Sequence, residues 1–315
     1  MAEMERPADT VETCLREAYK YLKDGNPFEA RQVLEKALSI NFEHPEVLYA
    51  LKCLNWWLGI CGMADKSEGS YDRGMGILAQ WKNYYLFLAK IGATYDMCQY
   101  AIRHFVFSTA LQALLEVEGD GELRHDPELL LNLGRCYKGI GNYETAAEYL
   151  RAAAGYKRED AAALAEFADV NALLGDITTA KGLFREAFYI NPQAVDIEAM
   201  ECELIQKLAA HTRGAGKTGA ALNEWMPVYG ALTGVFSVAR ALNQLEVSRL
   251  KQSIKDLEND LSSSPKNEHG LLPRLLNRYL RLMKHYEVHN FPEGIQEIIL
   301  KMRIYDAELY ERYIK

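Results

Sequence analysis

Two adjacent stretches decide the fold: residues 127–160, PELLLNLGRCYKGIGNYETAAEYLRAAAGYKRED, and residues 161–194, AAALAEFADVNALLGDITTAKGLFREAFYINPQA. Aligned without gaps, they place apolar, small and turn-forming residues at the same offsets. The first copy has Leu130, Leu133, Gly134, Gly141, Asn142, Ala146, Leu150 and Ala153, and the second has Leu164, Phe167, Ala168, Gly175, Asp176, Ala180, Phe184 and Ala187. The chain therefore contains an internal repeat of 34 residues.

Each copy predicts two antiparallel helices. Gly134 and Ala168 are small, as a position must be where two helices approach closely. Gly141 and Gly175 suit the left-handed residue that ends a first helix. Pro192 stops the second helix of the second copy, whereas Arg158 stands at that offset in the first.

Weaker copies precede this pair. Residues 11–44 keep the small residues and the turn glycine, Gly25. Residues 45–90 predict an opening helix over 45–59 and, after a longer loop, a second helix that follows the turn at 69–74. Residues 91–124 form a degenerate unit, since Phe105 replaces the turn glycine.

These segments resemble tetratricopeptide repeats, with units near 11–44, 45–90, 91–124, 127–160 and 161–194. The resemblance implies an all-α fold, a right-handed superhelical solenoid of helix pairs. It also implies a concave groove that receives a peptide or helix of another protein, and it implies no reaction. We expect the solenoid to cover residues 1–194, and residues 195–315 to form a helical region that caps it or makes a second contact surface.

The resemblance also indicates which residues line the groove, because the exposed residues of each first helix face it. Carried over position by position, these partner-binding residues are Leu15, Tyr19, Tyr49, Tyr95, Gln99, Leu131, Arg135, Lys138 and Asp169. Tyrosine and arginine are common in binding hot spots. The leading hypothesis is therefore a scaffold or adaptor protein that binds a partner polypeptide.

The region after residue 194 predicts further helices. Residues 195–211 predict an opening helix, and a long helical pattern runs from Pro227 toward Leu261. Another amphipathic helix is predicted over 271–288, and Asn290 with Glu293 predicts a capping box for the last one. Apolar residues spaced by three and four form a packing seam in the long pattern: Val247, Leu250, Ile254, Leu257 and Leu261. A homo-oligomer assembled through this seam is the alternative function.

An enzyme that binds a nucleotide is the third hypothesis. Gly216, Lys217 and Thr218 match the end of a phosphate-binding loop. The beginning of this motif is missing, because His211 stands where the motif needs glycine. The motif also needs a preceding strand, whereas the residues before this loop predict a helix. A flexible loop between helices is the simpler interpretation, and we expect no enzymatic activity.

Other chemistry-bearing patterns favour structural roles. His285 and His289 share a helical face, but two ligands are too few for a metal site. Arg274, Arg278 and Arg281 form a basic stripe on that helix, interpreted as a solvated face. The six cysteines show no metal-ligand spacing and are expected to be reduced packing residues. We expect no catalytic residues, no metal and no cofactor.

Composition limits the partners. A formal net charge of -8 repels phosphate backbones, so nucleic acid is not expected. No uninterrupted apolar run approaches the roughly 18–20 residues of a membrane span. The first residues lack a signal-peptide pattern. A cytoplasmic protein with a protein or peptide partner is the resulting expectation.

Overall fold

The computed structural model describes residues 10–67, 69–119, 123, 125–236, 242–263 and 268–314. Every regular element in these residues is a helix, which confirms the predicted all-α class. The chain divides into two units, residues 1–156 and residues 157–315. The division into a repeat solenoid over residues 1–194 and a helical region over residues 195–315 stays a prediction. The last repeat lies with the C-terminal helices because it shares an apolar core with them.

The first unit consists of helices that follow one another with short connections. Its helices are α1 (Val11–Lys23), α2 (Pro27–Ile40), α3 (Pro45–Ala64), α4 (Ser70–Ala79), α5 (Trp81–Ile91), α6 (Asp96–Glu118), α7 (Pro127–Gly139) and α8 (Tyr143–Tyr156). The pairs α1/α2 and α7/α8 have the bounds expected of repeat units.

The pair α7/α8 shows why the repeat needs small residues. A Cβ built on Gly134 would lie 2.5 Å from Cγ of Leu150, so only glycine permits this approach of the two helices. Asp126 caps α7 by accepting hydrogen bonds from the amides of Glu128 and Leu129. Gly141 ends the helix at a φ of 85°. The predicted helix pair is therefore present with its predicted turn.

The units in between depart from the helix-pair plan. The degenerate unit near 91–124 was expected to contain two helices, but residues 96–118 of this range form one continuous helix, α6. Phe105 and Val106 are buried at its centre, and no glycine ends a helix there. In the unit near 45–90, α3 continues past residue 59 to Ala64, and the second helix is divided into α4 and α5 at Gln80.

An aromatic cluster holds α3, α5 and α6 together. The rings of Trp56 and Trp57 lie 4.7 Å apart, and Trp81 lies 5.7 Å from Trp57 and 4.8 Å from Phe107. Tyr84 contacts all three tryptophans. Aromatic pairs at such distances add to the stability that burial provides.

Helix α3 is long and apolar, although Lys52 and Asn55 interrupt its apolar run. Within the described part of the chain it is the one helix long and apolar enough to cross a membrane, judged by length and composition alone. No such segment was predicted, because Lys52 and several small residues interrupt its apolar runs. Six of its residues are buried in the core of the first unit, among them Tyr49, Cys53 and Trp57. A core helix satisfies the same test.

The second unit begins with the other repeat pair. Its helices are α9 (Ala161–Leu173), α10 (Ile177–Ile190), α11 (Glu203–Gly214), α12 (Ala220–Leu232), α13 (Gln244–Ser263), α14 (Glu268–Val288), α15 (Pro292–Tyr305) and α16 (Ala307–Ile314). Gly175 separates α9 from α10 at a φ of 90°, and Asp176 caps α10 through the amide of Thr179. This pair also matches its prediction.

Two predicted helix starts are wrong. The helix expected over 195–211 begins only at Glu203, after 3₁₀ turns at Pro192–Ala194 and Ile197–Ala199. The capping box of Asn290 and Glu293 is absent, because Asn290 adopts a φ of 50° and ends α14 instead. There the amide of Phe291 bonds the carbonyl of Tyr286 at 3.0 Å, as in a helix C-terminal motif.

The packing seam of α13 folds back within the second unit. Leu250, Ile254 and Leu261 are buried, and α13 packs against α14. Val247 and Leu257 are partly buried against the same core. The seam is therefore covered by the chain itself, which removes the sequence observation that favoured a homo-oligomer.

Candidate functional site

Four of the predicted groove residues lie together in the first unit. The rings of Tyr49 and Tyr95 are 5.2 Å apart. Nε2 of Gln99 donates hydrogen bonds to the hydroxyl oxygens of Tyr49 and Tyr84, at 2.7 Å and 3.0 Å. The hydroxyl of Tyr19 donates to Oε1 of Glu46 at 2.8 Å. Helices α1, α3, α5 and α6 thus contribute to one polar cluster inside an apolar unit.

Burial determines the protonation of this cluster. It raises the pKa values of Tyr19, Tyr49 and Tyr84 above the ordinary value for tyrosine, so their hydroxyls remain neutral donors. The pKa of Cys53 is lowered to about 7, mainly by the hydrogen bond from Cys98, although burial acts in the opposite direction. The same pairing, with burial, raises the pKa of Cys98.

Most of the predicted groove residues are less accessible than expected. Leu15 and Tyr19 are each 5% exposed, and Tyr49 is 2% exposed. Tyr95 and Gln99 are half-buried. The expectation of an exposed first-helix face is therefore wrong for Leu15, Tyr19 and Tyr49, because α1, α3 and α6 bury that face against one another. Their proposed partner contacts stay untested.

The predicted residues on α7 divide between buried and accessible positions. Leu131 is 8% exposed and Lys138 is 5% exposed, so neither side chain presents the free surface that was expected. Arg135 is half-buried and donates to Oδ1 of Asn132 at 3.3 Å. Nη2 of Arg103 on α6 donates to the carbonyl of Lys138 at 3.1 Å and joins the two helices.

Asp169, the predicted residue of the second unit, has a structural role that sequence reasoning missed. It is fully buried in α9. Its carboxylate accepts hydrogen bonds from the amide of Glu201 at 3.0 Å and from that of Cys202 at 2.8 Å. Since Cys202 precedes α11, Asp169 positions the start of that helix. The expectation of an exposed side chain is therefore wrong for Asp169, and its proposed partner contact stays untested.

The structure exposes another set of side chains on α6. Met97 is 61% exposed and Tyr100 is 51% exposed. His104 lies one turn further along, with its ring 6.5 Å from that of Tyr100, and Nζ of Lys23 on α1 lies 5.9 Å from the Tyr100 ring. We call these four residues the α6 face. The spacing 97, 100, 104 indicates one helical face, but the expectation of a turn at 105 concealed it.

The partial phosphate-binding motif and the histidine pair both lie in the second unit. The loop of Gly216, Lys217 and Thr218 follows helix α11, and Nζ of Lys217 lies 4.2 Å from the ring centre of Trp225. His285 and His289 have ring centres 4.2 Å apart. No group of three or more residues able to hold a metal ion occurs among the residues whose placement is described.

The arginines of the basic stripe on α14 are partly buried and pair with neighbouring helices, which corrects the expectation of a solvated face. Arg274 forms a two-pronged ion pair with Glu224 of α12, at 2.6 Å and 2.9 Å. Nε of Arg278 donates to Oγ of Ser253 on α13. The planar guanidinium groups thus fasten α14 to its neighbours, as bidentate geometry favours.

These features define an all-helical protein built in part from helix pairs with small residues at their crossing and a left-handed glycine at their turn. Residues 127–160 match the tetratricopeptide repeat, so the chain contains at least one repeat of this family. No curated protein matches the chain. Tetratricopeptide repeats in general serve as scaffolds for protein–protein interaction.

Proposed function

We propose that this protein is a non-enzymatic scaffold that binds a segment of another polypeptide on the α6 face. The observation that carries the proposal is the exposure of Met97 and Tyr100, one turn apart on a helix that buries ten of its residues in the core. An apolar side chain beside a tyrosine offers contact area together with a directional hydroxyl. The tetratricopeptide repeat in the same unit supports this class of function.

The chemistry of the α6 face favours a partner with apolar side chains next to an acidic group. Lys23 supplies a positive charge beside the Tyr100 ring. Partial burial lowers the pKa of His104, with a further contribution from Lys23, so His104 is neutral near pH 7. The face thus combines apolar contact with a single cation, and a carboxylate of the partner would pair with Lys23.

Crosslinking compares this face with a matched surface. A photo-reactive phenylalanine analogue replaces Tyr100 in one version of the full chain and Tyr85 in another, and both are exposed to lysate of the native organism. Tyr85 is 47% exposed and lies in the same unit, so it controls for accessibility. We expect a specific crosslinked polypeptide from position 100 and not from position 85.

Substitution tests the same contact without a crosslinker. The variant Met97→Ser, Tyr100→Ser should lose the captured polypeptide, and the control Tyr85→Ser, Leu86→Ser should retain it. Leu86 is 62% exposed, which matches Met97. Both variants should keep the melting temperature of the wild type, since exposed side chains contribute little to stability. Equal capture by both variants would show that the α6 face is not the binding surface.

A further inference from the structure

A cavity of about 70 Å³ lies within the second unit. Its walls come from α10, α12, α14 and α16, together with Phe236 and Leu242 from the segment after α12. This volume is several times the roughly 10–15 Å³ that one water needs. It is well below the roughly 300–1,000 Å³ of pockets that enclose drug-sized molecules. The cavity therefore suits a small ion or a very small organic molecule.

The walls of the cavity combine positive charge with apolar surface. Arg185 of α10 and Arg281 and Lys284 of α14 line it, together with Pro227, Ala231 and Leu280. Three cations are accompanied by two carboxylates. Glu186 pairs with both arginines, at 3.3 Å and 2.9 Å, and Glu287 pairs with Lys284 at 2.6 Å. Among the described residues that line the cavity, three carry a positive charge and none carries a negative one, which favours an anionic ligand.

Arg281 is held rigidly at the wall. Its Nη2 donates to Oε2 of Glu186 at 2.9 Å, and its guanidinium carbon lies 3.8 Å from the ring centre of Tyr189. The side chain is 11% exposed. Its other terminal nitrogen, Nη1, is buried and has no hydrogen-bond partner. Buried polar atoms are nearly always paired, so a donor of this kind indicates a missing acceptor.

We propose that this cavity binds a small monocarboxylate, with the carboxylate on Nη1 of Arg281 and the apolar part against Pro227, Ala231 and Leu280. A carboxylate oxygen supplies the acceptor that the buried nitrogen needs, and guanidinium groups favour planar carboxylates. Lys284, whose side chain is 37% exposed, connects the site to solvent. The site lies in the second unit and does not depend on the function proposed for the α6 face.

Calorimetric titration of the full chain with propionate tests the proposal. Propionamide has nearly the same shape without the charge, and inorganic phosphate has a different geometry and more charge. We expect propionate to bind and propionamide to bind about 10- to 100-fold more weakly, as the loss of a charge-assisted hydrogen bond implies. Phosphate should bind more weakly than propionate.

Variants locate the binding. Ala231→Leu fills the cavity and keeps every charge, and Lys284→Gln removes the cation nearest to solvent; both should weaken propionate binding at least about tenfold. Lys207→Gln removes an exposed lysine of the same unit and should bind as the wild type does. A melting temperature measured for each variant shows that it is folded.

Three results would overturn the proposal. Propionate shows no saturable binding, or propionamide binds as tightly as propionate, or folded Ala231→Leu binds propionate as tightly as the wild type. Tighter binding of phosphate than of propionate would also contradict it, because the site would then select charge rather than a carboxylate with an apolar tail.

Discussion

Single residues set how closely the helices of this protein approach one another. Gly134 permits the contact between α7 and α8, since any Cβ there would meet the side chain of Leu150. Gly59 in α3 is different, because a Cβ at that position would meet no atom within 4 Å. The two glycines therefore respond oppositely to the same substitution.

Gly134→Ala should lower the free energy of unfolding by about 1–3 kcal/mol, the usual effect of overpacking. Gly59→Ala should raise it by about 0.5–1 kcal/mol, since alanine favours the helix more than glycine does. Urea unfolding followed by circular dichroism measures both. A destabilisation of the same size in the two variants would contradict the close approach of α7 and α8.

Because His104 titrates, the stability of the protein depends on pH. Its pKa in the folded state lies below the value of 6.5 for an unperturbed histidine, mainly because of burial. The unfolded chain therefore binds more protons near that pH, and stability falls as the pH drops through 6.5 toward the folded-state pKa. We expect His104→Gln to flatten this part of the curve of unfolding free energy against pH. An unchanged curve would show that His104 titrates normally in the folded protein.

The helical elements show how much could be predicted from sequence. The pairs α1/α2, α7/α8 and α9/α10 were predicted because their turns depend on local residues, as Gly25, Gly141 and Gly175 show. The continuous helix α6 was not predicted. The contacts of the α14 arginines with neighbouring helices were not predicted either. Arg274 meets Glu224 across 50 residues of chain, and no local pattern contains such a contact.

Contacts between residues far apart in the sequence also explain why the candidate site was predicted only in part. Sequence reasoning brought Tyr19, Tyr49, Tyr95 and Gln99 to neighbouring helices but treated them as exposed. Tyr19 is covered together with its partner Glu46, 27 residues away, and Gln99 reaches Tyr49 across 50 residues. Burial of a helix face depends on which other helices pack against it. Periodicity identifies a face but does not identify its neighbour.

The ion pair between α12 and α14 yields a prediction about these elements. Glu224 is 4% exposed, so Arg274→Ala leaves a buried carboxylate without its cation. Because the Arg274 side chain is 41% exposed, water offsets part of the loss, and we expect a destabilisation of about 1–3 kcal/mol.

Two control variants accompany this measurement. Arg274→Ala combined with Glu224→Gln should recover part of the stability, because the buried charge is then gone. Arg31→Ala breaks an exposed pair with Glu35 and should change stability by less than about 0.5 kcal/mol. Thermal unfolding compares the stability of the three variants with that of the wild type. Equal effects of Arg274→Ala and Arg31→Ala would show that the α12–α14 pair contributes no more than a surface pair.

At the scale of the whole molecule, the buried seam of α13 predicts how assembly and stability respond to mutation. Leu250 is 1% exposed and lies in the core of the second unit. Leu250→Asp should therefore destabilise the protein by about 3 kcal/mol or more, since it buries a charge. Ser248→Asp, on the exposed side of α13, should have little effect.

Light scattering gives the mass in the same experiment. The single chain has a mass of 35.7 kDa, and the substitution should not convert a larger assembly into this mass. A wild-type dimer that Leu250→Asp dissociates into folded single chains would contradict the packing of α13 on α14 and restore the oligomer hypothesis.

The two units contain different numbers of tryptophans, and this difference affects what fluorescence can measure. Three of the four tryptophans lie in the first unit, where Trp57 contacts both Trp56 and Trp81, and Trp225 lies in the second unit beside Lys217. In Trp225→Phe, selectively excited tryptophan fluorescence would follow the unfolding of the first unit alone, while circular dichroism would follow both.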